Sequence, residues 1–534
     1  MKPLALQVWL TITLGCLVVG NSATAQIIPD NTLPVNSSVT QEANTSTIEG
    51  GTVRGTNLFH SFREFSVPTG GEAFFNNATE IRNILTRVTG NDLSNIDGLI
   101  RANGTANLFL MNPNGIIFGP NARLDIGGSF LGTTANAIQF GKEGLFSATT
   151  PEAPSELLTV NPSALLFNQI AAARIQNNSV ADSGLDQSGT FTARGLRVPN
   201  GQSLLLVGGN VSMDGGRLFA FGGRVELGGL AGAGTVGLNG DGSNLSLSFP
   251  DGVERSDVLL TKGAVNVRAG GGGSIAINAR NFELARESSL RAGIATGLGS
   301  VNSKGGNIEV NAQGAVNLKD GTLIANDVLS EASGNSGDIS IITSSLSLTN
   351  GARLSASTFA KGDGGNISII ARDTASFDAG DAFSDVESGG EGKVGGISIT
   401  TGSLSVTNGA GLFASTRARG KGDAGNITIN ARDTVSFDGR KDGFSSAAFS
   451  SVGIGGEGKA GGISITTGSL SVTNGAQLIA ITRGKGDAGN ITINARDTVS
   501  FGGSKDGFSS FAFSSVEPGG VGNAGGISIT TGSL

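Results

Sequence analysis

Gly395-Gly396-Ile397-Ser398-Ile399-Thr400-Thr401-Gly402-Ser403-Leu404 returns unchanged at residues 461–470 and again at 525–534. Between these copies, Gly425-Asn426-Ile427-Thr428-Ile429-Asn430-Ala431-Arg432-Asp433-Thr434 returns at 489–498, and weaker versions start at Ile275, Ile308, Ile339 and Ile367. The basic unit is about 30 residues long and is paired into a longer repeat. Within one unit Ile397, Ile399, Leu404, Val406 and Leu412 alternate with Ser398, Thr400, Ser405 and Thr407, a period of two that puts one set of side chains in and the other out. Thr401-Gly402 and Asn408-Gly409 are the expected corners, dividing the unit into three short strands. A β-sandwich could carry this alternation, but its central and edge strands meet different surroundings and have no reason to repeat verbatim. In a coil whose turns stack on their own copies, each turn meets the same environment and one sequence suits all of them. The expected fold is all-β, a parallel β-helix (solenoid) with short three-strand turns, placing Ile397, Ile427 and Ile463 in one interior column.

Composition agrees. Of 534 residues 87 are Gly, about one in six against a usual ~7%, so the chain is rich in corners. Charged residues make up only 15%, which leaves Ser, Thr, Asn and Gly to build the surface. The net charge of −7, from 43 acidic and 36 basic residues, argues against a nucleic-acid partner, which would call for a basic face. Met1 to Ala25 reads as a signal peptide: Lys2, an apolar run from Leu4 to Gly20, and the small-x-small pattern Ala23-Thr24-Ala25 before Gln26. Cleavage between Ala25 and Gln26 removes Cys16 and Trp9, the only cysteine and tryptophan, so no disulfide can hold the mature chain. No later apolar run approaches the ~18 residues of a membrane span.

Upstream, Asn107-Leu108-Phe109-Leu110-Met111 and Ile116-Ile117-Phe118 flank Asn112-Pro113-Asn114-Gly115, which fits a type I turn. Asn112, Pro113, Asn114, Gly115 and Ile116, followed by Phe118-Gly119, Ala122, Leu124 and Gly127-Gly128, resemble the signature of the two-partner secretion (TPS) domain that begins filamentous haemagglutinin-type exoproteins. Gly50-Gly51-Thr52, Asn57-Leu58-Phe59-His60-Ser61-Phe62, Arg87-Val88-Thr89-Gly90 and Ile96-Asp97-Gly98 extend the resemblance over a motif-bearing core of 26–140. A second Asn-Pro-Asn motif found in some members is not evident, and Phe75-Asn76-Asn77-Ala78 stands nearest. The resemblance implies a right-handed β-helix, a secretion domain over 26–270, and a route through the periplasm. It also implies recognition there by the POTRA domains of a dedicated outer-membrane transporter, and release or display at the outer surface. Residues 271–534 are then a β-helical repeat region, expected to be truncated because Leu534 falls inside a repeat.

On this reading the chain is an adhesin-like exoprotein and no enzyme, with cell-surface glycans or proteins as candidate ligands. A carbohydrate-active enzyme on a β-helix scaffold and a purely structural surface fibre are the alternatives. His60, the only histidine, sits among Leu58, Phe59 and Phe62 and reads as structural, so no catalytic residue, cofactor or metal site is assigned. Asp363, Asp423 and Asp487 recur in Lys-Gly-Asp corners and read as turn residues partnering nearby Lys or Arg, with calcium the weaker alternative. Gly232-Ala233-Gly234-Thr235-Val236-Gly237 matches a dinucleotide fingerprint that 87 glycines produce by chance. Arg432-Asp433 and Arg496-Asp497 are expected to stack as surface charge ladders. Phe383, Phe444, Phe449, Phe508, Phe511 and Phe513 are placed in loops inserted between units, where folding back to bury them as an extra strand is favoured over an exposed adhesive stripe.

Overall fold

The computed structural model describes residues 26–168, 172–240 and 244–534; the expected signal peptide, with Ala25 of the expected cleavage site, lies outside them. Among the described residues every regular element is a β-strand, and no helix is long and apolar enough to cross a membrane. One parallel register runs from Leu58 through Ile84, Leu108, Phe130, Leu204, Val225, Ile275, Ile308, Ile339 and Ile367. It continues through Ile397, Ile427, Ile463 and Ile491 to Ile527. The expected interior column is thus present, and the chain is a parallel β-helix.

Two further faces close each turn. Ile116, Ile175, Val211, Val258, Phe282, Val316 and Leu346 form a column on the second face. Leu218, Val265, Leu290, Ile324, Leu354, Ala382, Leu412, Ala448 and Leu478 form one on the third. Together these columns fill one continuous apolar interior. At the amino-terminal end the spiral is closed by antiparallel strands. Ile27–Pro29 and Thr52–Arg54 pair with Asn57–Phe65, and Ser37–Glu42 pairs with Thr45–Gly50.

One expected corner is not a break. Ile397–Thr407 is a single strand that runs through Thr401-Gly402 with a register shift between Thr401 and Ser403. Across Gly402-Ser403 the inward parity changes, so Ile397, Ile399 and Thr401 are buried and then Leu404 and Val406, whereas the neighbouring rung holds one residue more at this point and keeps one parity through Ile427, Ile429, Ala431, Val435 and Phe437. Asn408-Gly409 is a true corner, with φ of 53° and 78°.

This bulge also explains why the repeat takes two turns. In alternate rungs it holds Arg372-Asp373, Arg432-Asp433 or Arg496-Asp497; in the rungs between it holds Gly402, Gly468 or Gly532. A Cβ on Gly402 would lie 2.3 Å from the Asp373 carbonyl and 2.8 Å from Arg432 Nη2. Bulky and bare rungs must therefore alternate. The expected charge ladders do not form, because each guanidinium binds the carboxylate next to it in sequence, Arg432 to Asp433 at 3.0 Å and Arg496 to Asp497 at 2.9 Å. Such exposed pairs add about 0–1 kcal/mol.

The amino-terminal turns carry a second layer. Ala137–Phe140, Gly144–Ser147, Ala164–Phe167, Gly234–Asn239 and Ser246–Ser248 form an antiparallel sheet outside the spiral. It buries Phe59, Leu85, Phe109, Met111, Leu131, Leu205 and Val207 under Ile138, Phe140, Phe146, Leu165, Phe167 and Val236. Strands buried on both faces need no alternation, which is why residues 108–111 and 204–207 read as unbroken apolar runs.

Candidate functional site

Residues 112–116 link a first-face strand, Asn107–Met111, to a second-face strand, Ile116–Phe118. The Gly115 N–H donates to the Asn112 carbonyl at 3.1 Å, closing the turn the sequence predicts. Asn112 is fully buried. Its side-chain oxygen accepts the Asn114 N–H at 2.9 Å, while its amide donates to the Asp92 carbonyl at 3.0 Å and to Ser94 Oγ at 2.9 Å. An aspartate there would lose both donations and bury a charge. Pro113 is buried too, and Gly115 has a φ of 120° with the Arg174 carbonyl 3.2 Å from where a Cβ would stand. Backbone bonds tie the corner to the turn beyond it: Asn112 N–H donates to Thr133 at 2.9 Å and Ile116 N–H to Arg174 at 3.2 Å. Asn114 is the member of the motif whose side chain is exposed, and its amide donates back to the Gly90 carbonyl at 2.7 Å.

That bond leads into a buried polar network which sequence reasoning left without a role. Arg87 has no exposed surface. It donates to Ser61 Oγ at 2.9 Å, the Ser147 and Glu152 carbonyls at 2.8 and 3.0 Å, and Thr32 Oγ1 at 2.8 Å. Its guanidinium carbon lies 4.4 Å from the centre of the Phe146 ring. Asp30 accepts from Thr32, Ser61 and Thr89 at 2.6, 2.7 and 2.6 Å. Burial pushes Arg87 down to about 10, an effect partly offset by the charge of Asp30. Burial alone would raise Asp30, but the hydroxyls around it outweigh that and hold its carboxyl below the usual range. The network therefore joins the first described strand region, two turns of the spiral and the covering layer around one cation. The signal for it was a lone charge in the otherwise uncharged strand Asn83–Val88.

His60 is structural. It is buried against Phe62 and Phe75, its Nδ1 lies 3.0 Å from Ser37 Oγ, and burial lowers it to about 3, so it is neutral. Near it runs a file of amides: Asn107 donates to Asn83 at 3.0 Å and Asn83 to Asn57 at 2.8 Å. The Asp363, Asp423 and Asp487 carboxylates act chiefly on the backbone. They accept the N–H of Lys393, Lys459 and Asn523 in the next turn at 2.8, 2.9 and 3.0 Å. One lysine contact accompanies these, Lys459 to Asp487 at 3.7 Å.

The phenylalanines are not all where the sequence put them. Phe383, Phe449, Phe511 and Phe513 stand on strands of the third face, and Phe444 and Phe508 on two small hairpins. Phe383, Phe413, Phe449, Ile479 and Phe513 share one register position, pointing outward while Ala382, Leu412, Ala448 and Leu478 point in. They remain half-buried or exposed, stacking on one another: the Phe383 and Phe413 rings lie 5.0 Å apart at 7°. The expected burial beneath folded-back loops therefore does not occur. Gly232–Gly237 leads into a strand, Gly234–Asn239, and carries no helix.

No curated protein matches the chain. Among solved structures, the HMW1 secretion domain from Haemophilus influenzae is 14% identical, with 93% of this chain and 100% of that chain covered and a TM-score of 0.40. The family model of the TPS secretion domain matches residues 25–277, the part that contains the Asn112–Ile116 corner, the Arg87 network and the covering sheet. Residues 25–277 therefore belong to the TPS secretion domain family, and the chain is a two-partner secretion exoprotein.

Proposed function

We propose that a dedicated outer-membrane transporter recognises residues 26–270 in the periplasm through its POTRA domains. On this reading the chain then serves as an adhesin-like protein at the outer surface, binding cell-surface glycans or proteins. The signal peptide of residues 1–25 brings it to the periplasm, and residues 271–534 carry the adhesive part. The observation that carries this reading is the Asn112–Ile116 corner. Its bonds to Gly90, Asp92, Thr133 and Arg174 fasten successive turns to each other, so the motif supports the first coils on which later ones stack. Its role is to hold the fold the transporter reads, with Asn114 as the side chain available for direct contact.

The test is secretion from cells that also make the partner transporter. Asn112→Ala combined with Asn114→Ala should leave the protein in the periplasm, and normal export of that double variant would overturn the assignment. Asn114→Ala alone separates the two contributions. Retention with unchanged thermal stability of the purified chain means contact, and retention with a lowered Tm means folding. For the adhesive part, purified chain should bind cells or immobilised glycans; a chain that binds neither is a structural fibre.

A further inference from the structure

We propose that the outer side of the third face, between Asn350 and Arg483, is a binding groove for a linear acidic polysaccharide; this rests on the adhesin reading and gives it a place and a ligand class. Two adjoining cavities of about 420 and 550 Å³ lie there and share Phe413 and Arg417. Their common floor is the stack of Phe383, Phe413 and Phe449, with ring centres 5.0 and 6.3 Å apart. Gly411 makes this possible, since a Cβ on it would lie 2.0 Å from the Phe413 ring. One wall is formed by Ala418, Gly453 and Ile454, the other by Asn408 and the hairpin that carries Lys441 and Phe444. Phe444 is 70% exposed.

Charge selects the ligand. Arg417 is already paired, its guanidinium reaching Asp385 at 2.6 Å and Glu387 at 3.6 Å. Arg353, Lys441 and Arg483 also line the groove and are exposed, and among the described residues none has a carboxylate within 4.0 Å. Against them stand Asp381, which lies beside Arg353 in the next turn and accepts the Gly411 N–H at 2.9 Å, and Asp442 at the hairpin tip. A chain of net charge −7 thus presents Lys441 and Arg483 free of carboxylate contacts along an apolar floor, with Arg353 beside Asp381 at its edge. A sugar ring offers a flat C–H face for such a floor, and a uronate adds a carboxylate that arginine grips with two parallel bonds. A peptide fits less well, because the strands beneath are paired on both sides and leave no edge to which its backbone could bond. Turns recur every ~4.8 Å, so a polymer lying along the axis meets one floor group per turn and gains from many weak contacts.

The test uses the purified mature chain and polygalacturonate, with a neutral galactan and poly-L-glutamate as comparisons at one fixed ionic strength. Polygalacturonate should bind at least tenfold more tightly than either. Arg353→Glu, Lys441→Glu and Arg483→Glu together should weaken it at least tenfold, as should Phe413→Ala with its Tm checked. Arg123→Glu, Lys142→Glu and Lys304→Glu, the same change of charge at exposed sites elsewhere, should leave it within twofold. The inference is overturned if polygalacturonate does not bind, if either comparison polymer binds equally, or if the two triple variants behave alike. Export of the groove variants is measured alongside. Normal export with lost binding supports the groove, and failure of the secretion reading shows separately in the Asn112 and Asn114 variants.

Discussion

The amino-terminal and carboxy-terminal turns share one spiral and one register, yet a single outward row on the first face changes character along it. The row begins Phe59, Leu85, Phe109, Leu131, Leu205 and ends Ser340, Ser368, Ser398, Thr428, Ser464, Thr492, Ser528. Glu226 stands in this row directly after Leu205, fully buried, receiving the Leu247 N–H at 2.9 Å and paired with Arg224. It marks the place where the covering sheet runs out. Inward residues alone decide that the chain coils; outward residues decide whether a turn is covered or bare. Verbatim repetition is possible only for bare turns, because a covered turn must match whichever part of the cover lies over it. The secretion domain is therefore varied in sequence and the repeat region monotonous, although their interiors are alike.

Three measurements can break or sharpen this comparison. The largest effect belongs to Arg87, two of whose four donated bonds run from the spiral to the cover and the loop after it, at Ser147 and Glu152. Arg87→Met should cost about 3–5 kcal/mol, as expected when one member of a buried charged network is removed, and a urea midpoint within error of wild type would show that the network is not what joins the two layers. Next is the outward row itself. Leu205→Ala should lose about 2–5 kcal/mol, whereas Ser398→Ala in the same row should stay within about 0.5 kcal/mol. Equal effects in urea unfolding would remove the distinction between covered and bare turns.

The most gradual effect, spread over several pH units, is the pH response of His60. Its folded value, about 3, lies below the ordinary 6.5, so the unfolded chain binds the proton first as pH falls. The contribution of its neutral, buried state is complete above pH 6.5 and declines as pH drops toward 3, by about 1.4 kcal/mol per pH unit. It is the only histidine, so comparing the slope of stability against pH for wild type and His60→Gln isolates it. Burial pushes Glu226, Asp327 and Asp385 upward, which gives slopes of the opposite sign, but these are common to both proteins and cancel in the difference. Identical slopes would mean that the imidazole is hydrated in the folded chain.

Much was legible from residues alone. Ile397, Ile399, Leu404 and Val406 could be assigned to the interior because period two and verbatim repetition leave few other arrangements, and Asn112 to Gly115 could be read as a turn from the conformational demands of Asn, Pro and Gly. The aromatic residues were misplaced for a physical reason. Phe383 and Phe449 sit next to Gly, Ser and Asp, the composition of a loop, and nothing local reveals that each stands on a strand beside a phenylalanine or isoleucine in neighbouring turns. Arg87 was invisible as a cross-link because its partners come from Thr32, Ser61, Ser147 and Glu152, segments brought together only by the coil and its cover.

By itself the sequence determined that the chain coils, how long each turn is and which side chains fill the interior, since period and repetition are properties of neighbours along the chain. Only the tertiary structure decided which turns are covered, which buried charges hold the cover down and where outward groups line up as a groove. Those depend on which residues of different turns come to lie side by side, and that register is set by stacking.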